Sequence, residues 1–99
     1  MKTTITCKQL ELTDAIRAYI DRRAEKLPKF WDRVRETGVV LEKRGGHTYF
    51  VEFIARADGH DPFVATEKHD DLYAAIDESA SKLERQVRTY HGKLVEHKP

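Results

Sequence analysis

Apolar residues recur every three or four positions between residues 70 and 94, and no proline interrupts them. The members of this stripe are Leu72, Ile76, Ala80, Leu83, Val87, Tyr90 and Leu94. Because this spacing is the helical period, it predicts one amphipathic helix, over about 30 Å long at roughly 1.5 Å per residue. Asp70 and Asp71 stand at its start, where a carboxylate caps free backbone N–H groups, and Gly92 lies near its end. The rest of the chain is expected to pack around this helix.

A shorter helical pattern covers residues 14–27, with Thr13 as its N-cap and Pro28 at or just after its end. Its apolar stripe is Ile16, Tyr19, Ile20, Ala24 and Leu27. Four further segments have strand patterns, and they are residues 2–7, 33–44, 47–57 and 63–68. Gly45-Gly46 predicts a hairpin between the second and third strands, and residues 58–62 predict a turn before the fourth.

The element order is therefore β-α-β-β-β-α. Hairpin-linked strands predict an α+β fold, with a four-stranded, mostly antiparallel sheet and two helices packed on one of its faces. The first two strands are joined through a helix, so we expect them to be parallel, with a right-handed crossover. In the third strand, one face is formed by Tyr49, Val51, Phe53 and Ala55. With no repeat or linker, the chain is expected to be a single domain over residues 1–99, with an ordered core from about residue 2 to residue 94.

Composition narrows the class of protein. With 99 residues, 35% of them charged, and a mean hydropathy of −0.69, the chain can bury one modest core and should be very soluble. No apolar run reaches the length of a membrane span, and the first residues lack the apolar stretch of a secretion signal. The single cysteine, Cys7, excludes an internal disulfide and is expected to be a small buried hydrophobe. These features predict a cytoplasmic protein.

The charges are unevenly distributed along the chain. The formal net charge is only +1, but residues 52–78 hold eight acidic and two basic residues, a net of −6. The remainder, with 16 basic and 9 acidic residues, carries +7. A basic footprint on one face can bind phosphates whatever the total charge.

The long helix carries a second stripe beside its apolar one. Its members are Lys82, Arg85, Gln86, Thr89 and Lys93, with Glu78 nearby. These side chains bind phosphates, and a helix with an apolar inner face and a basic outer stripe is typical of a protein that contacts the RNA backbone. An ordinary solvated helix face has the same spacing and remains the alternative.

The first helix shows a similar arrangement near its end. Arg22, Lys26 and Lys29 are spaced four and three residues apart, with Arg23 beside them. Solvated surface is again the alternative, because acidic residues offset part of this charge. Phe30-Trp31 is expected to pack the helix end against the sheet rather than to stack on bases.

Residues that carry catalysis or bind metals are present but are not arranged for either task. The five histidines are His47, His60, His69, His91 and His97, and none lies at metal-ligand spacing from the cysteine. Gly45-Gly46 lacks the spacing and the Lys-Ser/Thr pair of a phosphate-binding loop, and no Ser-His-Asp arrangement can be defended. We therefore expect no enzyme activity, no cofactor and no metal.

Two runs carry a resemblance to a known family. Residues 71–77 read Asp-Leu-Tyr-Ala-Ala-Ile-Asp, and residues 82–87 read Lys-Leu-Glu-Arg-Gln-Val. Together they resemble the signature of the bacterial ribosome hibernation-promoting factors, also called protein Y relatives and once labelled sigma-54 modulation proteins. Residues 12–17, Lys26-Leu27 with Phe30, and residues 39–41 look similar too, so the resemblance extends over the whole chain.

The resemblance implies a β-α-β-β-β-α domain that binds the small ribosomal subunit, and the whole ribosome, through ribosomal RNA. Such a domain occupies the channel of tRNA and mRNA in stationary phase or under stress. It is not an enzyme, and neither a membrane nor a small-molecule substrate is implied. The acidic middle is then expected to face away from the RNA, and the free protein to be monomeric. The RNA contacts implied by position are Arg22, Arg23, Lys26, Lys29, Lys82, Arg85, Gln86, Arg88 and Lys93.

Some features depart from the family pattern. Family members usually carry more lysines after the Arg-Gln pair, where this chain has only Arg88 and His91 as candidate cations. The chain stops at Pro99 without the dimerising domain of the long forms, and therefore resembles the short forms. Its short tail, residues 95–99, favours the type that promotes ribosome pairing over the type that blocks it. A general structured-RNA-binding domain and a protein-interaction domain that modulates a transcription factor remain the alternative functions.

Overall fold

The computed structural model describes residues 2–96, with side chains described through residue 94. Its elements in chain order are β1 (Lys2–Lys8), α1 (Asp14–Ala24), α2 (Leu27–Phe30), β2 (Val34–Arg44), β3 (Thr48–Ala57), β4 (Phe63–His69) and α3 (Leu72–Glu96). The predicted α+β fold and its element order are confirmed, with one short additional helix, α2. The tail at residues 95–99, which is predicted to favour ribosome pairing, lies largely outside the described residues.

The four strands form one sheet in the order β1-β2-β3-β4. β1 pairs with β2 in parallel, and the other two pairs are antiparallel, as the hairpin and crossover connections predict. The β2–β3 hairpin closes with Arg44 opposite Thr48. Gly45 has a φ of +62°, a conformation that glycine adopts without strain, which explains the position of the turn.

One face of the sheet is buried and the other faces solvent. In β3, Val51, Phe53 and Ala55 are completely buried, while the alternate residues Glu52 and Ile54 are half-buried. The helical residues that cover the buried face include Ile16, Ile20, Leu27, Ile76, Leu83 and Val87. Each such apolar side chain contributes about 1.5–3 kcal/mol on burial, so this single core determines which face of each helix turns inward.

The first helix is shorter than its apolar stripe predicts. The stripe predicts a helix to residue 27, but α1 ends at Ala24, and a separate turn of helix, α2, begins at Leu27. The physical reason is Pro28, which has no N–H to donate and whose ring would clash with the carbonyl of Ala24 in a continuous helix. Proline is tolerated in the first turn of a helix, and Pro28 occupies that position in α2.

The cap predicted for the long helix is present. Oδ1 of Asp71 accepts hydrogen bonds from the backbone N–H groups of Tyr73 (3.0 Å) and Ala74 (3.4 Å), so α3 begins at Leu72. Asp70, the other expected cap, instead places Oδ1 2.8 Å from Nδ1 of His69. Within residues 2–96, no helix is both long and apolar enough to cross a bilayer.

Candidate nucleic-acid interface

α1 and α2 run beside α3 in the same direction. Tyr19 of α1 contacts Tyr73 near the start of α3, with ring centroids 5.0 Å apart. Farther along, the guanidinium of Arg88 lies 5.3 Å from the centroid of the Phe30 ring, which belongs to α2. The cations near the end of α1 and on α2 are therefore brought next to the second half of α3.

Arg23 is turned towards α3. Its Nη2 donates to Oγ of Ser81 at 2.8 Å and lies 3.6 Å from Oε1 of Glu84, while its Nη1 lies 3.6 Å from Oδ1 of Asp77. Only 20% of the Arg23 side chain is exposed. Arg23 therefore joins α1 to α3, and its guanidinium is engaged with α3 and is not free to contact an RNA phosphate as predicted.

The same contact region includes a short hydrogen bond between the two helices. The hydroxyl of Tyr19 donates to Oδ1 of Asp77 at 2.6 Å, and this hydrogen bond raises the pKa of Tyr19. Nε of Arg23 and Oε1 of Glu84 are buried and have no hydrogen-bond partner among the described residues. Their association therefore depends on charge, and losing either partner would leave the other poorly compensated.

On the other side of α3, Lys82 and Gln86 reach the edge strand β4. Nε2 of Gln86 donates to the carbonyl oxygen of Val64 at 2.9 Å, and Nζ of Lys82 lies 3.4 Å from the carbonyl oxygen of Thr66. Nζ of Lys82 also pairs with Oε2 of Glu67 at 2.5 Å. The two side chains satisfy outward carbonyls of an edge strand, which would otherwise be open to pairing with another chain. Sequence spacing could not show this, because β4 lies far from them along the chain.

Seven of the eight predicted cations are exposed, and we call the six other than Lys82 the basic surface. They are Arg22, Lys26, Lys29, Arg85, Arg88 and Lys93. None of the six forms an ion pair with any side chain that the structure describes. Two of them lie over aromatic rings, Arg22 at 5.6 Å from the Tyr19 ring centroid and Arg88 over Phe30. A planar guanidinium that lies over a ring keeps N–H groups at its edge, and these can still donate to a phosphate.

The acidic residues do not all face away from the predicted RNA-binding residues, and that expectation needs correction. Glu67, Asp77 and Glu78 line one shallow concavity together with Lys82 and Arg85. The reason is tertiary, because β4 and the first turns of α3 are adjacent in the sheet-helix layer. The basic surface is therefore bounded by negative charge at the start of α3 and extends towards the end of that helix.

An aromatic cluster supports that end of the helix. Trp31 is buried, as expected for a residue that packs α2 against the sheet, and its ring centroid lies 5.2 Å from that of Tyr90. His60, from the turn before β4, stacks on Phe63 at 4.4 Å and meets the Tyr90 ring at 4.2 Å. The sequence predicts the turn at His60 but offers no signal for this contact, which joins three separate elements.

The remaining candidates, metal-ligating side chains and the Cys7 thiol, do not form a metal site or a reactive thiol in the described part of the chain. Within the described residues, no three histidine, cysteine or carboxylate side chains come together to hold a metal ion. Cys7 packs against the core from β1, and burial raises the pKa of its thiol, which favours the unreactive form.

Comparison with known proteins gives a consistent result. The profile of the family described as "Sigma 54 modulation protein / S30EA ribosomal protein" matches residues 3–95. A ribosome hibernation promoting factor of Azotobacter vinelandii is 33% identical over 98 residues, covering 97% of this chain and 88% of the relative. One from Escherichia coli strain K12 is 32% identical over 97 residues, covering 98% of this chain and all of the relative.

A solved structure agrees with the sequence relatives. The N-terminal domain of Thermus thermophilus protein Y superposes with a TM-score of 0.81 at 32% identity, covering 91% of this chain and 99% of that domain. The matches in sequence and in fold therefore extend over nearly the whole chain. The chain belongs to the sigma 54 modulation protein / S30EA ribosomal protein family.

Proposed function

We propose that this protein is a ribosome hibernation factor of the cytoplasm, which binds the small ribosomal subunit through the basic surface and blocks translation under stress or in stationary phase. Relatives covered from end to end are named ribosome hibernation promoting factors. The observation that carries the proposal is that α1, α2, the turn between them and the second half of α3 expose six cations that form no ion pair with a described side chain.

The proposed mechanism is steric and needs no catalysis. Two side-by-side helices present cations to the phosphates of ribosomal RNA, and the body of the domain fills the channel of tRNA and mRNA. Recognition would depend on shape and on phosphate contacts, because structured RNA offers side chains little readable major groove. Each phosphate contact releases counterions, so affinity should fall steeply as the salt concentration rises.

The decisive experiment is co-sedimentation with purified bacterial ribosomes on sucrose gradients at low and high salt. We expect salt-sensitive migration with the small subunit and with whole ribosomes. Arg85→Glu with Arg88→Glu should abolish migration while leaving the circular dichroism spectrum unchanged. The matched control, Lys2→Glu with Lys8→Glu, makes the same change of net charge on β1, at the opposite edge of the sheet, and should still bind. Binding by the Arg85/Arg88 variant would contradict the assignment of this surface.

The same gradients separate the competing functions. The height of the paired-ribosome peak distinguishes a factor that promotes pairing from one that blocks it. A general structured-RNA-binding domain would bind a naked RNA duplex as tightly as the assembled subunit. A protein-interaction domain, as the sigma 54 part of the family description suggests, would instead show salt-resistant binding to a protein partner and indifference to the charge reversals.

A further inference from the structure

A cleft between α3 and β4 adjoins the basic surface. Its volume is about 640 Å³, within the range of ligand-binding clefts in proteins. The rings of Phe63 and Tyr90 supply its apolar part, and Arg85, Gln86 and Lys93 are among its polar lining. An apolar wall beside several cations is the combination that a nucleotide requires, since its base is flat and its phosphates are negative.

The aromatic wall of the cleft packs against other rings. His60 stacks on Phe63 with an interplanar angle of 4°, and it also contacts Tyr90. Trp31, which is buried, also contacts Tyr90, with ring centroids 5.2 Å apart. Phe63 is only 8% exposed, whereas Tyr90 is half-buried, so Tyr90 is the ring with a surface left for a partner. A ring fixed in this way loses little conformational entropy when something stacks on it.

The charges of the cleft select for an anion. No carboxylate is among its lining residues, and Lys82 is the only lining cation with an ion pair to a described side chain. Arg85 lies five residues before Tyr90 and Lys93 three residues after it, so the two free cations flank the ring along the helix axis. Gln86 donates one amide N–H to Val64, which fixes its orientation and leaves its amide oxygen as an acceptor for an amino group.

We propose that this cleft receives one unpaired base of ribosomal RNA, which stacks on Tyr90 while Arg85 and Lys93 hold the adjoining phosphates. The proposal rests on the proposed function, which it deepens by naming the kind of RNA element bound. Single-stranded bases can be splayed out and stacked on aromatic side chains, whereas paired bases cannot. The basic surface would then supply affinity, and the cleft would supply a preference for a site with an unstacked nucleotide.

The test is chemical probing of purified small subunits with dimethyl sulfate, kethoxal and carbodiimide, alone and saturated with protein. We expect at least one reactive, unpaired base to be protected by the wild-type protein and by Tyr90→Phe, which keeps the ring. Tyr90→Ala and Tyr90→Leu should leave that base reactive at saturation, and should weaken subunit binding by about 5-fold to 150-fold. Tyr90→Leu retains apolar volume in the aromatic cluster, so a folding defect in the alanine variant cannot hide the result. Tyr73→Ala, which removes an exposed ring elsewhere on α3, is the control and should keep the full protection.

Each outcome has a separate meaning. If Tyr90→Leu protects the same bases as the wild-type protein, or if the wild-type protein protects no base while still binding in a salt-sensitive way, the cleft proposal is overturned and the proposed function stands. Failure of the wild-type protein to sediment with subunits at low salt would overturn both. If adenosine monophosphate quenches the fluorescence of Trp31 in the free protein, Tyr90→Leu abolishes that response, and the wild-type protein protects no base on the subunit, the occupant is a free nucleotide and the assignment to ribosomal RNA is wrong.

Discussion

The two halves of α3 use their charges differently. In the first half, to residue 84, Asp77 and Glu84 contact Arg23 of α1, and Lys82 pairs with Glu67 of β4. In the second half, from residue 85 onward, Arg85, Arg88 and Lys93 face solvent without an ion pair to a described side chain. One helix thus uses its early charges to join the layers of the fold and keeps its late charges available to a partner.

The physical cause is the position of each half over the sheet. The early turns lie between α1 and β4, where a charged side chain reaches an opposite charge on either side. The later turns lie beside the short α2 and the turn before β4, where the neighbours are aromatic rings. Lys93, the cation in the last turn of α3, also interacts favourably with the helix dipole.

Removing Arg23 should have the largest effect. Arg23→Ala would leave Glu84 and Asp77 without their cation in a half-buried site. We expect a loss of about 2–3 kcal/mol in the free energy of unfolding, somewhat below the 3–5 kcal/mol typical of a fully buried pair. Urea denaturation followed by circular dichroism measures it. Arg22→Ala, at the neighbouring exposed position, should change the free energy by less than about 0.5 kcal/mol. An equal loss of unfolding free energy in the two variants would show that Arg23, which contacts α3, stabilises the fold no more than the exposed Arg22.

Removing the charge of Arg85 should have an effect of intermediate size, on subunit binding, and a larger one than removing the charge of Lys82. Arg85→Gln should reduce the slope of log affinity against log salt by about 0.7–0.9, and should weaken subunit binding roughly fivefold at 150 mM salt, the value of one phosphate contact. Lys82→Gln should change the slope by less than half as much, because its ammonium already pairs with Glu67. Sedimentation at four or more salt concentrations gives both slopes. Equal slopes would show that Lys82 exchanges Glu67 for a phosphate on binding.

Removing the carboxylate that pairs with Lys82 should have the smallest effect. Glu67→Gln removes its carboxylate partner and one negative charge from the border of the basic surface. We expect subunit affinity to rise about twofold, less than a full phosphate contact, because the carbonyl of Thr66 still accepts from Lys82. Glu52→Gln makes the same change of net charge on the opposite face of the sheet and is the control. A similar gain in both variants would mean that net charge, rather than Lys82, controls the affinity.

The candidate site was predictable in part. The helical spacing correctly groups Lys82, Arg85, Gln86 and Lys93 on neighbouring rows of α3, because periodicity along one element is a local property. The same reasoning could not separate Arg22 from Arg23, which differ by one residue and by about 100° around the helix. Only the packing of α1 on α3 turns Arg23 inward and leaves Arg22 exposed.

The sequence by itself determined the element order apart from α2, the faces of the strands and helices, an aspartate cap at residue 70 or 71 and the hairpin at Gly45. Each of these depends on residues close together in the chain, through apolar periodicity, capping and turn chemistry. Only the tertiary structure decided which charges pair across layers and which rings meet around Tyr90. His60, Phe63 and Tyr90 are brought together by the fold alone, because side-chain contacts between separate elements depend on how the layers pack and leave no periodic signal in the chain.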